Sequence, residues 1–187
     1  MHPAPVKLTP EHASPIILIG LPGSGKSSIG RRLARRLGVS FADTDAVIEE
    51  SLGCSIRTFF ERESEARFRD IEQETLAQLI AQQHGVLATG GGCVLREANQ
   101  RAMREGGYVI YLHSSPETIF RRLRNDTKRP LLQVSDPLAR LHELYGARDP
   151  LYRATAHTVV ESGRCGLQAL ARAVAAQFKP PEEKPPQ

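Results

Sequence analysis

The chain has 187 residues, 40% of them apolar and 25% charged, and carries 25 Lys and Arg against 21 Asp and Glu for a net charge of +4. That length and balance describe one ordinary globular domain that buries enough surface to need no staples, with a mild positive excess that suits anionic small ligands without demanding nucleic acid. Three scattered cysteines with no C-x-x-C pair argue for reduced thiols in a cytosol-like compartment, and neither a membrane-length apolar run nor the basic-then-apolar layout of a signal peptide is expected.

Residues 1–14 are proline-rich and read as a disordered tail. Ile16-Ile17-Leu18-Ile19 is a short apolar run bounded by Pro15 and Gly20, which predicts a buried strand. Gly20-Leu21-Pro22-Gly23-Ser24-Gly25-Lys26-Ser27 follows at once and fits G-x-x-x-x-G-K-[ST] at every fixed position. After it, Ile29, Leu33 and Leu37 recur every four residues, so a helix is predicted over 25–37. Strand, glycine loop and helix N-terminus together aim main-chain N–H groups and a positive helix end at a polyphosphate. In that pattern Gly23 and Gly25 let the chain curl, Lys26 reaches the β- and γ-phosphates, and the Ser27 hydroxyl serves Mg²⁺.

Four further strand-like runs are Val39–Asp43, Val86–Thr89, Tyr108–Leu112 and Thr158–Val160. Helical patterns occupy 63–83, 95–105, 116–124, 137–153 and 166–178, with short segments near 45–52 and 56–61. Strands alternating with helices predict an α/β fold, a parallel sheet covered on both faces. Two spacers are too long for simple crossovers: 45–85, which carries several helices, and the basic, proline-bracketed 124–137. Because ligands of such sheets sit at the carboxyl ends of the strands, one insertion is expected to hold an acceptor and the other to close as a lid over a nucleotide. Residues 179–187 form a second proline-rich tail, and the six histidines show no zinc-ligand spacing.

Several side chains beyond the loop carry candidate chemistry. Asp43 and Asp45 lie two apart at the end of the second strand, so both carboxylates are expected on one face of a cleft. Asp43 is the nearest anionic neighbour for a metal at Ser27. Asp45 either accepts or orients an acceptor hydroxyl proton, or merely caps the helix that follows. Gly90-Gly91-Gly92 either exposes main-chain N–H groups to a ligand or is a plain turn. Arg69 flanks the stripe Phe68, Ile71, Leu76 and Leu79, with Glu72 three residues on to brace it. With Arg148, it offers two guanidinium forks for a carboxylate-bearing substrate, unless both are surface charges. Arg129 in the lid either closes on a γ-phosphate or is a solvated loop charge. Arg31, Arg32, Arg35 and Arg36 read as a solvated helix face before a nucleic-acid patch.

Taken together, Gly20–Ser27, Asp43-x-Asp45, Phe68-Arg69-x-x-Glu72, Gly90-Gly91-Gly92, Arg129-Pro130-Leu131-Leu132 and Arg148-x-Pro150-Leu151-Tyr152 resemble the shikimate kinase family over residues 15–178. The resemblance implies a P-loop fold like that of nucleoside monophosphate kinases, three layers around a five-stranded parallel sheet in the order 2-3-1-4-5. It implies ATP-dependent phosphorylation of the shikimate 3-hydroxyl, with Mg²⁺ held at Ser27 and Asp43. It places ATP against Gly23, Ser24, Gly25, Lys26, Ser27, Ser28, Arg122, Arg129 and Arg164, with Arg122 stacking on the adenine and Arg164 standing where relatives present a polar or basic residue. It places shikimate against Asp45, Phe60, Phe68, Arg69, Gly90, Gly91, Gly92 and Arg148, and makes Lys26, Asp45 and Arg129 the catalytic set. The expectation is a cytoplasmic monomer working on small molecules, with no nucleic-acid or membrane partner. The rival readings are a related gluconate or nucleoside monophosphate kinase, and a nucleotide-binding regulator without turnover. The absence of an N-K-x-D string disfavours a GTPase switch.

Overall fold

A computed structural model of the chain describes residues 14–82, 85–123, 134–162 and 166–177. The elements run β1 (Ile16–Ile19), α1 (Lys26–Leu37), β2 (Phe41–Asp43), α2 (Thr44–Leu52), α3 (Ile56–Phe60), α4 (Glu65–Ala81) and β3 (Val86–Ala88), then a short 3₁₀ turn (Cys93–Leu95). They continue with α5 (Glu97–Gly106), β4 (Tyr108–His113), α6 (Pro116–Leu123), α7 (Pro137–Thr155), β5 (Thr158–Glu161) and α8 (Gly166–Gln177). The five strands form one sheet in the order β2-β3-β1-β4-β5, every pair parallel. That is the order the family resemblance implies.

β1 occupies the centre, and all four of its side chains are inaccessible to solvent. Alternate residues of a strand face opposite sides, and the core divides accordingly. Ile17 and Ile19 pack with Leu76 and Leu79 of α4, Met103 of α5, Ile119 of α6 and Leu141 and Tyr152 of α7. Ile16 and Leu18 pack on the other side with Leu33 and Leu37 of α1 and Leu170 and Val174 of α8. Each such buried aliphatic side chain contributes about 2 kcal/mol from burial alone. A separate small cluster, Ile48, Phe59 and Phe68, lies beneath α2, α3 and α4. The long insertion between β2 and β3 therefore has a core of its own.

Several boundaries differ from the sequence reading, three of them by more than fraying of an end. β2 starts at Phe41, because the Val39 N–H is taken by Ala34 O at 3.0 Å and closes α1 instead of joining the sheet. β4 gains His113, which pairs with Glu161 of β5. α7 runs on through Pro150 to Thr155. A proline within a helix removes one N–H and crowds the carbonyl four residues earlier; here that carbonyl belongs to Gly146, whose position is otherwise open space. The two proline-rich tails and most of the 124–137 lid lie outside the described residues. Among the described residues, no helix is long and apolar enough to cross a membrane.

Candidate active site

The phosphate loop leaves the carboxyl end of the central strand, so both its neighbours, β3 and β4, flank it. Gly25 holds the left-handed conformation at the N-terminus of α1 (φ 96°). Gly23 is also left-handed (φ 84°), and a Cβ there would lie 2.7 Å from Leu123 of α6; only glycine fits. Ser24 is fully buried, and Lys26 nearly so. The Lys26 ammonium folds back over the loop, donating to Gly20 O at 2.8 Å and Leu21 O at 2.9 Å. Those carbonyls hold a buried charge at the loop's mouth, where a phosphate would meet it.

A cavity of about 530 Å³ opens beside the loop, lined among others by Lys26, Ser27, Asp43, Asp45, Thr89 and Gly91. Asp43 ends β2 with extended backbone and caps α2: its Oδ1 accepts from the Asp45 N–H at 3.1 Å. Asp45 therefore sits in the first turn of α2, not on the strand, and Asp43 does the capping the sequence had left open for Asp45. The Asp43 side chain splits its oxygens, because Oδ2 accepts from the Ser27 hydroxyl at 2.5 Å. A hydroxyl and a carboxylate so close are the hard oxygen donors that suit Mg²⁺, which takes few protein ligands and fills its shell from phosphates and water. Among the described residues, no group of three His, Cys, Asp or Glu side chains forms a dedicated metal cage.

The Asp45 carboxyl is raised to about 6, first by burial and then by the Asp43 carboxylate, with Lys26 pulling the other way. It lies against the glycine turn after β3: a Cβ on Gly90 would come within 2.6 Å of its Oδ1 and 2.9 Å of Glu72 Oε1. Thr44 Oγ1 accepts from the Gly90 N–H at 3.0 Å and locks the turn to α2. Glu72, among the most buried charged residues of those described, grips Arg69 at 2.7 Å, and Glu65 holds its other nitrogen at 3.0 Å. Burial works against the Arg69 charge, but the bonds and field of Glu72 outweigh it and hold its pKa above the ordinary value. The guanidinium lies across the backbone of Gly92, in space only a glycine leaves open, and its Nε is buried without a partner among the described residues.

A family model described as shikimate kinase matches residues 22–178. The shikimate kinase of Paracidovorax citrulli is 54% identical over 175 residues, spanning 91% of this chain and 95% of that one. This chain belongs to the shikimate kinase family. Like its relatives it is an ATP-dependent phosphotransferase. Among solved structures, a shikimate kinase from Acinetobacter baumannii in complex with shikimate is similar with a TM-score of 0.82 and 38% identity, over 89% of this chain and 93% of that one. A gluconokinase from Sinorhizobium meliloti is 21% identical with a TM-score of 0.52, over 89% of this chain and 98% of that one, which speaks for the fold alone.

Of the residues that the family resemblance singles out, Phe68 is buried in the insertion's core, while Phe60 is 42% exposed and packs on it with ring centroids 4.9 Å apart. Arg148 of α7 lies one helical turn before Tyr152, whose hydroxyl donates to Gly91 O at 2.5 Å. Gly91 abuts Pro22 of the phosphate loop, so the turn after β3 packs directly against that loop. Arg122 donates to Ser24 O at 3.3 Å and Ser162 Oγ at 3.1 Å, tying the loop to the end of β5. Ser28 also lines the cavity. Arg129 and Arg164 lie outside the described residues. The arginines of α1 are exposed, as the solvated-face reading expects, yet Arg31, Arg32 and Arg35 also line the cavity.

Sequence reasoning passed over three residues that shape the site. Thr44 stands between the two aspartates and looks like a spacer. Glu65 is four residues before Arg69, a helix spacing that would have flagged it. Tyr152 was quoted as part of a motif without a role.

Proposed function

We propose that this chain transfers the γ-phosphoryl group of ATP to the 3-hydroxyl of shikimate, giving shikimate 3-phosphate and ADP, as a cytoplasmic monomer with no nucleic-acid or membrane partner. The observation that carries the reading is the shared cavity: a half-buried carboxylate, Asp45, lines the same space as the phosphate loop and Gly91. The relative solved with shikimate lends it further support.

In this reading the protein contributes positioning and charge, since phosphoryl transfer asks little covalent chemistry of it. Lys26 neutralises charge on the transferring phosphate, and Arg129 joins it from the lid. Ser27 and Asp43 would hold Mg²⁺, which when bound shields the polyphosphate's charge. Asp45 binds the acceptor hydroxyl and accepts its proton; a carboxyl with pKa of about 6 is ionised at neutral pH yet basic enough for the task. Arg69, held rigid by Glu72 and Glu65, and Arg148 clamp the acceptor's carboxylate, while Gly90, Gly91 and Gly92 bring the main chain close and Phe60 and Phe68 wall the ring. Gly23, Ser24, Gly25 and Ser28 cradle the polyphosphate, and Arg122 and Arg164 face the base.

The test is ADP release from purified protein with ATP and Mg²⁺ and, in parallel, shikimate, gluconate or a nucleoside monophosphate. Turnover with shikimate well above the others is expected. Faster turnover with gluconate or a nucleotide, or ATP binding with no ADP release, would overturn the proposal.

A further inference from the structure

Parallel strands exchange hydrogen bonds at even intervals, every second residue giving its N–H to the same neighbour. On the β2 side of β3, Val86 donates to Ser40 O at 2.9 Å. The register sets Ala88 opposite Asp43, and there β2 stops. The next donor on that side is the Gly90 N–H, four residues beyond Val86; its counterpart, four beyond Ser40, is Thr44. Thr44 is the first residue of α2, and a helical carbonyl points along its own axis. The hydroxyl fills the gap: Thr44 Oγ1 accepts from the Gly90 N–H at 3.0 Å. A side chain thus supplies the last rung of the sheet, where the backbone has left it.

That rung sits where the pocket is built. Thr44 is fully buried, between Asp43, which caps α2, and Asp45, which lines the cavity. Gly90 lies against the Asp45 carboxylate, since a Cβ there would come within 2.6 Å of Oδ1. Neither partner needs the rung for its own shape. α2 is capped by Asp43 and packed through Ile48 with Phe59 and Phe68. The turn closes on itself, Gly90 O accepting from the Cys93 N–H at 3.1 Å and Gly92 O from the Leu95 N–H at 3.0 Å. Tyr152 OH takes Gly91 O. Among the described residues, no other hydrogen bond joins α2 to the turn.

We propose that Thr44 is a positioning residue of the acceptor pocket: its hydroxyl, standing in for a strand carbonyl, sets the spacing between the glycine turn and α2 and so fixes where the Asp45 carboxylate stands. This rests on the function proposed above, in which Asp45 receives the acceptor hydroxyl. Thr44→Val keeps the bulk and deletes the acceptor; Thr44→Ser deletes the methyl and keeps it. With ADP release as the readout, Thr44→Val lowers kcat/KM for shikimate about tenfold or more and leaves KM for ATP within about twofold, as a small misplacement of one reacting group does. Thr44→Ser restores most of the loss. A role in packing alone reverses that order, because only the serine gives up the buried methyl. In an Asp45→Asn background, Thr44→Val costs less than about twofold more, since groups that act together are not additive. Should Thr44→Val not fold, Thr44→Ala against Thr44→Ser makes the same comparison of the hydroxyl. An unchanged kcat/KM on losing the hydroxyl, a serine variant no faster than the one without it, an equal loss for both substrates, or full additivity with Asp45→Asn overturns the inference while the parent enzyme still turns over shikimate. A parent that releases no ADP with shikimate sinks the functional reading itself, and this inference with it.

Discussion

The two walls of the cleft are built on different principles. The nucleotide wall is main chain: one contiguous stretch after β1, glycines at strained angles, and a lysine satisfied by the loop's own carbonyls. The wall proposed to hold the acceptor is side chain: Asp45 from α2, Arg69 and Glu72 from α4 and Tyr152 from α7 meet a glycine turn after β3, with Arg148 one helical turn before Tyr152. A backbone cradle accepts any polyphosphate tail, whereas a set of braced charges recognises one shape. The specificity of the reaction should therefore reside almost wholly in the second wall.

Substitutions can break or sharpen that contrast. The largest effect is expected for Lys26→Ala, which should reduce kcat by about 10³-fold or more while circular dichroism and melting temperature stay close to the parent's. Asp45→Asn should cost about 10²-fold or more in kcat and abolish the acid limb of the rate profile. In the parent, that limb falls as pH drops through about 6, where Asp45 takes up its proton. The same group makes a prediction for stability. Its folded-state pKa lies above the unfolded value of 3.8, so the stability it supports is fully present below that value and lost as pH rises through about 6. Asp45→Asn should accordingly melt higher than the parent near pH 8, with the gap closing near pH 4; the reverse trend would show that the carboxylate is favoured in the fold.

Arg148→Ala should raise KM for shikimate about 10- to 100-fold and leave KM for ATP nearly unchanged. Equal losses for both would erase the distinction between the walls. The smallest effect is expected from replacing Arg31, Arg32 and Arg35 together by Gln. These exposed charges line the cavity's rim, and their loss should lower kcat/KM a few-fold at low salt and hardly at all at high salt.

The same contrast explains what the sequence disclosed. The phosphate loop is a local object, and its eight-residue string with a strand before and a helix after could be read directly. The strand order and the proposed acceptor set came through the family resemblance, because Asp45, Arg69 and Arg148 stand on three separate helices that no local pattern links. The Arg69–Glu72 brace was legible because helix spacing carries it. The Gly91–Tyr152 bond was not, since nothing local links a turn after β3 to a helix face sixty-one positions later. The two aspartates misled for a subtler reason. Alternation along a strand would have put Asp43 and Asp45 on one face, but the strand stops at Asp43, whose own side chain captures the next helix's amides. Likewise α1's arginines read as solvent-facing, and only the fold shows that Arg31, Arg32 and Arg35 also border the cavity.

Asp43 holds a hydroxyl of the phosphate loop with one oxygen and the opening amides of the next helix with the other. A single carboxylate thus joins the two compartments, and a nucleotide or ion that draws on its first oxygen tugs at the helix bearing Asp45. Occupancy of one compartment should then change affinity in the other, and thermodynamic reciprocity requires the favour to be returned in equal measure.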